Sequence, residues 1–544
     1  MNKVIGLFVA AFLSSSGAVF AQSEMEAYKL SQNDLSGTAR YLGMGGAFGA
    51  LGGDISAMST NPAGLGIYRS SEIVTTVSLS SVKAKTDWLG TKMDQNHTKF
   101  SFDNIGYVGY FPTGNEEGLV SWNVGFAYNK VKNFNRQYKM GRGEGGYSLS
   151  DYMAAVTNRS GVTGNDLAIT ESYDPFLTQN WLSVLGYEVY MINSDNPSKG
   201  GNFYSSFGEK GADGQWHNWP VQQADMTVNE KGSIDKYDFS FATNISNTLF
   251  LGATFSVSDL SYHLSSTYDE DFGFAEGASF SDYLFLDNYV TLDGTGYSFN
   301  LGAIVRPVDF LRFGVAYNSP TWYKMTTYYS AEAGTYISDF FAGQPGHENP
   351  NLDAFKATPE RAYYEYKYRT PDKWIFSAAA IIGQTALISV DYELRNYKSM
   401  RLYEWDGVEM ADNQFIKDDF KLGGMLKAGA EVKVTPQFAV RIGGAWQNSP
   451  AKDHLKDGQV QVLTPGTETA YTVDLHTNYF TVGLGYRFTP NFYADLACVY
   501  KMQKENVYPF SNVFDDNGEA VVSSIPATLK TNTTRVAFTL GYKF

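Results

Sequence analysis

Cysteine is nearly absent. Cys498 is the single one in 544 residues, which excludes an internal disulfide and any Cys-cluster metal site. Its apolar neighbours suggest a buried or lipid-facing thiol rather than a nucleophile. Histidine is scarce too: His97, His217, His263, His347, His454 and His476 are scattered, all but His263 and His476 in expected loops. No Ser-His-acid or metal-ligand spacing joins them, so no catalytic residue, metal or cofactor is expected and the chain is not read as an enzyme. Positive charge is in deficit, with 42 Lys and Arg against 57 Asp and Glu and a formal net charge of -15. Phosphate backbones need a basic footprint, so nucleic acid is excluded as a partner. Past the N-terminal leader there is no apolar run long enough for a spanning helix. The nearest candidate, residues 375–390, is broken by Gly383-Gln384-Thr385 and reads as a tight hairpin.

The leader itself is clear. Lys3, an apolar stretch over residues 4–13 and the exit Val19-Phe20-Ala21 have the three parts of a secretory signal peptide over residues 1–21. No Cys follows Ala21, so a lipoprotein anchor is not expected. Beyond the leader, aromatics make up 15% of the sequence, with Tyr 38, Phe 37 and Gly 53. Such tyrosine usage suits the interfacial girdles of a membrane barrel better than a soluble core.

Alternation of period two carries the fold class. Val120, Trp122, Val124, Phe126 and Tyr128 share one face, with Ser121, Asn123, Gly125, Ala127 and Asn129 on the other. Phe480, Val482, Leu484, Tyr486 and Phe488 oppose Thr481, Gly483, Gly485 and Arg487 in the same way. A soluble sandwich would turn its bulky face inward and its charges outward; here the small, polar face is read as the inside. Segments of this kind start near Glu72, Lys99, Gly118, Ser233, Leu249, Tyr289, Leu311, Tyr364, Thr385, Lys421, Gln437, Thr477, Asn491 and Thr531. That makes about fourteen, an even number.

Short links at Asn244-Ile245-Ser246-Asn247, Arg306-Pro307-Val308-Asp309, Gly383-Gln384-Thr385, Thr435-Pro436 and Phe488-Thr489-Pro490-Asn491 alternate with long polar stretches. This is the asymmetry of periplasmic turns and extracellular loops. Lumen-side charges are expected at Arg312, Asp391, Glu393, Lys427, Glu431, Arg441, Arg487 and Asp495, and their mixed signs suggest an interior ion network. The last strand ends on Val536, Phe538, Leu540, Tyr542 and the terminal Phe544, resembling the signal read by the barrel-assembly machinery. The expected fold is all-β: a transmembrane antiparallel β-barrel of about 14 strands over residues 72–544.

Two regions are not barrel wall. Residues 136–231 form an insertion too long for a plain loop. In it, Ser148 and Asp151 suggest a capping box opening a helix over residues 149–159 before Gly161. Asp174-Pro175 suggests a second helix, with Phe176, Trp181, Leu182 and Leu185 along one face, which either packs on other loops or forms a landing site for apolar ligand.

The second region is residues 22–71. It reads Ala39-Arg40-Tyr41-Leu42-Gly43-Met44-Gly45-Gly46-Ala47-Phe48, then Gly52-Gly53-Asp54, and ends Asn61-Pro62-Ala63-Gly64-Leu65. A dinucleotide-binding reading fails, because the third glycine and the preceding strand are missing. Glycines permit tight turning in a narrow lumen. Asp54 can cap a short helix over residues 55–58, and Asn61-Pro62 forms a second cap whose amide can reach wall backbone.

This order of motifs resembles the hatch of the long-chain fatty acid transporter family that includes FadL and TodX. The resemblance implies a monomeric outer-membrane barrel plugged by its N-terminus, with Gly45, Gly46, Asp54, Asn61, Pro62 and Ala63 in the hatch. It implies passive uptake of hydrophobic small molecules, long-chain fatty-acid-like, across a lipid and lipopolysaccharide layer that blocks them. It also implies release through an inward kink in an early strand, for which Asn123 and Gly125 are the candidates, since a strand glycine tolerates a bend. The alternatives are a surface-protein attachment or shuttle component of type IX secretion, and a general porin, which would lack a hatch.

Overall fold

The computed structural model describes residues 23–275, 278, 280–342, 349–359, 362–383 and 385–544. The signal-peptide expectation, Gln384 and His347 lie outside the described residues. Fourteen antiparallel strands close into a barrel: β1 (Glu72–Trp88), β2 (Thr91–Pro112), β3 (Leu119–Asn133, continued by Arg136–Arg142), β4 (Gln223–Ile245), β5 (Leu249–Gly273), β6 (Asp282–Val308) and β7 (Leu311–Asn318 with Trp322–Ile337). They are followed by β8 (Ala362–Arg369 with Lys373–Ile382), β9 (Ala386–Asn396 with Arg401–Glu404), β10 (Leu422–Lys433), β11 (Phe438–Asn448), β12 (Tyr471–Arg487), β13 (Phe492–Tyr508) and β14 (Ala527–Lys543). The seam runs from Glu72↔Lys543 to Asp87↔Thr528. Ser71 and Phe544 exchange backbone hydrogen bonds of 3.1 and 3.0 Å across it, and the Phe544 ring stacks on Tyr107 and Tyr542.

Each expected strand falls in one of these strands. The faces also divide as the alternation requires: Phe126, Phe239, Phe299, Ile442, Phe480 and Phe538 point outward, while Ser121, Asn123, Ala127 and Thr481 are buried inside. Cys498 lies on the outward face between Leu496 and Tyr500. The strands run longer than alternation alone suggested. β5 has 25 residues and β6 has 27, against the roughly 10 needed to cross a bilayer, so the wall projects well beyond the membrane at its long-loop end. The boundary at 136–231 is corrected accordingly: Arg136–Arg142 pairs with Ala224 to Glu230 of β4, leaving residues 143–222 as the insertion.

In that insertion Ser148 and Asp151 make the capping box of a helix, Leu149–Ser160, which ends on Gly161 at φ +72. The second expected helix is corrected to two pieces. Pro175–Leu177 is a single 3-10 turn capped by Asp174, and a separate helix, Trp181–Glu188, is capped by the Asn180 side chain. Apolar side chains from this insertion, from other long loops and from the projecting wall fill the upper lumen as one buried cluster.

Candidate functional site: a plugged lumen and a split wall

The N-terminal segment occupies the lumen in four short helical pieces: α1 (Glu24–Ser31), whose Met25, Ala27, Tyr28 and Leu30 belong to that cluster, and below it α2 (Ala39–Gly43), α3 (Ala57–Thr60) and a 3-10 turn over Pro62–Ile67. It fits because the facing wall is glycine. A Cβ on Gly302, Gly314, Gly429 or Gly443 would run into Asn61, Gly49, Met44 or Gly45. Gly45 is itself held at φ +63 with its missing Cβ only 2.5 Å from Gly444 N, a conformation and a spacing open to glycine. The small inward face seen in the sequence is therefore shaped to the hatch.

Polar contacts fix its orientation. Asn61 Nδ2 donates to Gly49 O at 2.6 Å and to wall Ala303 O at 3.3 Å, while its Oδ1 accepts from Ala63 N at 3.2 Å. Pro62 opens the 3-10 turn. Asp54 does not cap a helix over residues 55–58: that helix starts at Ala57, and Asp54 instead accepts from Ser56 N at 2.9 Å and Thr38 Oγ1 at 2.7 Å, tying two hatch turns together. Arg40 pairs with Glu431 of β10 at 3.0 Å. Arg441 bridges Glu431 and Asp495, both at 2.6 Å, and Glu393 gathers Lys427, Arg395 and Lys373. Five of the expected lumen charges, Glu393, Lys427, Glu431, Arg441 and Asp495, are thus buried in a paired network, while buried Asp391 accepts from Gly49 N of the hatch at 2.8 Å. Arg312 is only partly buried, and Arg487 is exposed at a strand end.

The expected kink at Asn123 and Gly125 is corrected. Gly125 is paired on both sides, with Val108 of β2 and Ser240 of β4. Its missing Cβ makes room for Met58 and Leu65 of the hatch, so the glycine serves packing and not a bend. The break lies a few residues further on. β2 and β3 pair from Pro112↔Ser121 only as far as Asn104↔Asn129, and residues 91–103 of β2 have no strand partner on that side among the described residues. β3 turns inward, and Arg136–Arg142 runs behind β1, where Thr86 Oγ1 donates to Lys139 O and the Arg142 guanidinium lies 5.2 Å from the Trp88 ring centre. Lys99 Nζ reaches across the split to Asn135 Oδ1 at 2.7 Å, and Phe102 stacks on Tyr128 below it.

Behind the split lies a cavity of about 140 Å³ lined by α1, the residues after it and strands β1 to β4 and β12 to β14. Most of its charges are matched: Asp34 with Lys501 at 2.9 Å and Lys132 at 3.7 Å, Asp103 with Arg535 at 2.6 Å, and Glu230 with Lys29 and Arg136, both at 2.7 Å, while Asp474 accepts from Tyr28 Oη and Gln503 Nε2, both at 2.8 Å. Burial would raise the Asp34 carboxyl, but the Lys132 and Lys501 ammoniums outweigh it and hold the group below the ordinary carboxylate range. Sequence reasoning missed α1 and this cavity. Ser23 and Glu26 have the spacing of a capping box, and Ser23 does cap α1 by accepting from Met25 N, so the helix had a readable signal. The cavity did not, since its lining comes from segments hundreds of residues apart. The expected landing stripe is also corrected: Phe176, Trp181, Leu182 and Leu185 are all buried, with Trp181 packed edge-on against Phe176 and Tyr329, so they present no open apolar surface.

The model of the outer membrane protein transport protein family (OMPP1/FadL/TodX) matches residues 233–544. The chain belongs to this family. Among curated proteins this FadL/TodX-family barrel is similar to the "47 kDa outer membrane protein" of Pasteurella multocida (strain Pm70), 23% identical over 259 residues. That match covers 46% of this chain and 51% of the other, so the chain spans about half the length of that relative. Among solved structures it is similar to a Pseudomonas aeruginosa FadL homologue, with a TM-score of 0.51 and 15% identity over 94% of this chain and 99% of that one, a likeness of fold. The P. putida toluene transporter TodX is covered to the same extent at 12% identity with a TM-score of 0.49.

Proposed function

We propose that this FadL/TodX-family barrel takes up hydrophobic small molecules, long-chain fatty-acid-like, by passive diffusion, and that the split between β2 and β3 is their lateral path. The short-turn end faces the periplasm and the long-loop end the exterior, as the turn asymmetry of outer-membrane barrels requires. The observation that carries the reading is the loss of pairing beyond Asn104↔Asn129 beside a cavity. A closed wall would strand cargo above the hatch; this one opens where the outward aromatics Phe102 and Tyr128 meet polar residues. A cargo with a polar head fits: the matched charges of the cavity favour the head, and the aromatic flank of the split favours the chain. A general porin fits poorly, because the hatch and the loop core occupy the lumen.

The test labels the split. In a Cys498→Ser background, Asn133→Cys, which lines the cavity, is modified with a bulky maleimide, and uptake of a fluorescent fatty acid into proteoliposomes is followed. Uptake should fall by about tenfold, while Asn123→Cys, buried under the hatch, should neither react nor change the rate. Unchanged uptake with Asn133 fully labelled would rule out this path.

A further inference from the structure

Charge is balanced unevenly along the lumen. Arg441, Arg40, Lys427, Lys373 and Arg395 each have a carboxylate. Arg312, at the short-turn end of β7, has none. Its Nη1 donates to the hatch carbonyl of Leu51 at 2.7 Å, its Nε is buried without a hydrogen-bond partner, and it forms no ion pair among the described residues. Arg306 stands across the β6–β7 turn, one residue beyond the Val305↔Phe313 pair. Its acid is Asp309, 3.5 Å away and 99% exposed. Arg69, on the chain leaving the hatch for β1, is exposed and has neither an ion pair nor a hydrogen bond among the described residues. Arg312 holds Leu51, the missing Cβ of the adjacent Gly52 lies 2.7 Å from Ile67 Cδ1, and Arg69 follows two residues further along that chain.

We propose that Arg312, Arg306 and Arg69 form an anion-binding site at the foot of the hatch, taking the carboxylate or phosphate head of an amphiphile. Like charges set opposite each other across a hairpin repel, and a partly desolvated guanidinium without a counter-charge is costly. In a chain of net charge -15, only Arg306 of the three has an acid among the described residues, and that acid is fully exposed to solvent. The position leaves them open to a ligand instead. The planar guanidinium fork matches carboxylate and phosphate oxygens in two-point fashion, and Arg312 Nη2 has no acceptor among the described residues. Since Arg312 also holds Leu51, a bound anion competes with the hatch for the same side chain. Such a site exists whatever the channel carries, and it lies at the opposite end of the hatch from the β2–β3 split.

The intact protein in nonionic detergent is titrated calorimetrically with octanoate and with inorganic phosphate, using octanol as the neutral probe. Octanoate should bind saturably, with its Kd raised at least tenfold by Arg312→Gln and by Arg69→Gln, whereas weak octanol binding should be the same in all three proteins. Arg69 is exposed and Arg69→Gln removes no hydrogen bond or ion pair among the described residues, so its effect is not one of misfolding. Displacement of octanoate by phosphatidylglycerol nanodiscs, but not phosphatidylcholine ones, would assign the site to a lipid head; absence of displacement would assign it to a free acid. Equal octanoate affinity in the wild type and Arg69→Gln, or octanol binding as tightly as octanoate, overturns the proposal.

Discussion

At the scale of single residues, the hatch and wall meet backbone to backbone, and glycine is the reason they can. Gly443 has its missing Cβ position pressed on Gly45 N and Met44 C, atoms that no side-chain rotation can clear. Gly443→Val should therefore destabilise the protein by about 1–3 kcal/mol, the usual range for overpacking a tight interior. Ile442→Val, a change on the lipid face next to it, should leave the melting temperature in detergent where it was. Equal melting of the two variants would show that the hatch does not rest on this wall. The same contacts explain why small residues opposite aromatics were informative in the sequence: the aromatics answer to lipid and the glycines to the plug.

At the scale of elements, α1 is the least comfortable piece. Glu24 is fully buried near Asp419 and Asp412, and burial, reinforced by those two carboxylates, raises its carboxyl well above the ordinary range. Glu26 is pushed up to about 7 by burial, against the opposing pull of the Tyr366 hydroxyl and the Lys29 ammonium. Below the ordinary glutamate range both residues are neutral whether α1 is docked or free, so docking carries no penalty. As pH rises through the ordinary glutamate range the free helix ionises before the docked one, so docking weakens, and the part of that loss due to Glu26 levels off above about 7. Limited proteolysis within residues 24–38 should be faster at pH 8 than at pH 5, and Glu24→Gln with Glu26→Gln should flatten the difference. Faster cleavage at pH 5 would contradict the assignment.

Elements also mark how far the sequence could be read. Each barrel strand was legible because lipid on one side and a lumen on the other impose a period of two along its length. The capping box at Ser148 and Asp151 was legible because it is local. Gly125 misled because a strand glycine fits either a bend or a close neighbour, and only the fold shows Met58 and Leu65 beside it. Trp181 and its companions misled for a related reason: an apolar stripe is the same in sequence whether it faces solvent or, as here, Tyr329. The cavity was beyond reach, since Asp34, Lys132 and Lys501 are joined only by closure of the barrel.

At the scale of the whole molecule, the lumen carries two obstructions in series. The hatch sits among wall glycines toward the short-turn end, and the core of long loops and projecting wall fills the other end. Resistances in series add, so removing one leaves the other in control. Deleting residues 39–64 should raise single-channel conductance only modestly. Shortening residues 143–222 alone should also have a small effect, because the hatch stays pinned by Asn61, Arg40 and the wall backbone. The double variant should conduct far more than the two single increments together. The lateral path predicts a different pattern for cargo: fatty acid uptake depends on the β2–β3 split, and shortening residues 143–222 should leave it largely intact if α1 still lines the cavity. A large steady conductance from the hatch deletion alone would mean that the upper core is open to ions, leaving the hatch as the sole seal of the barrel.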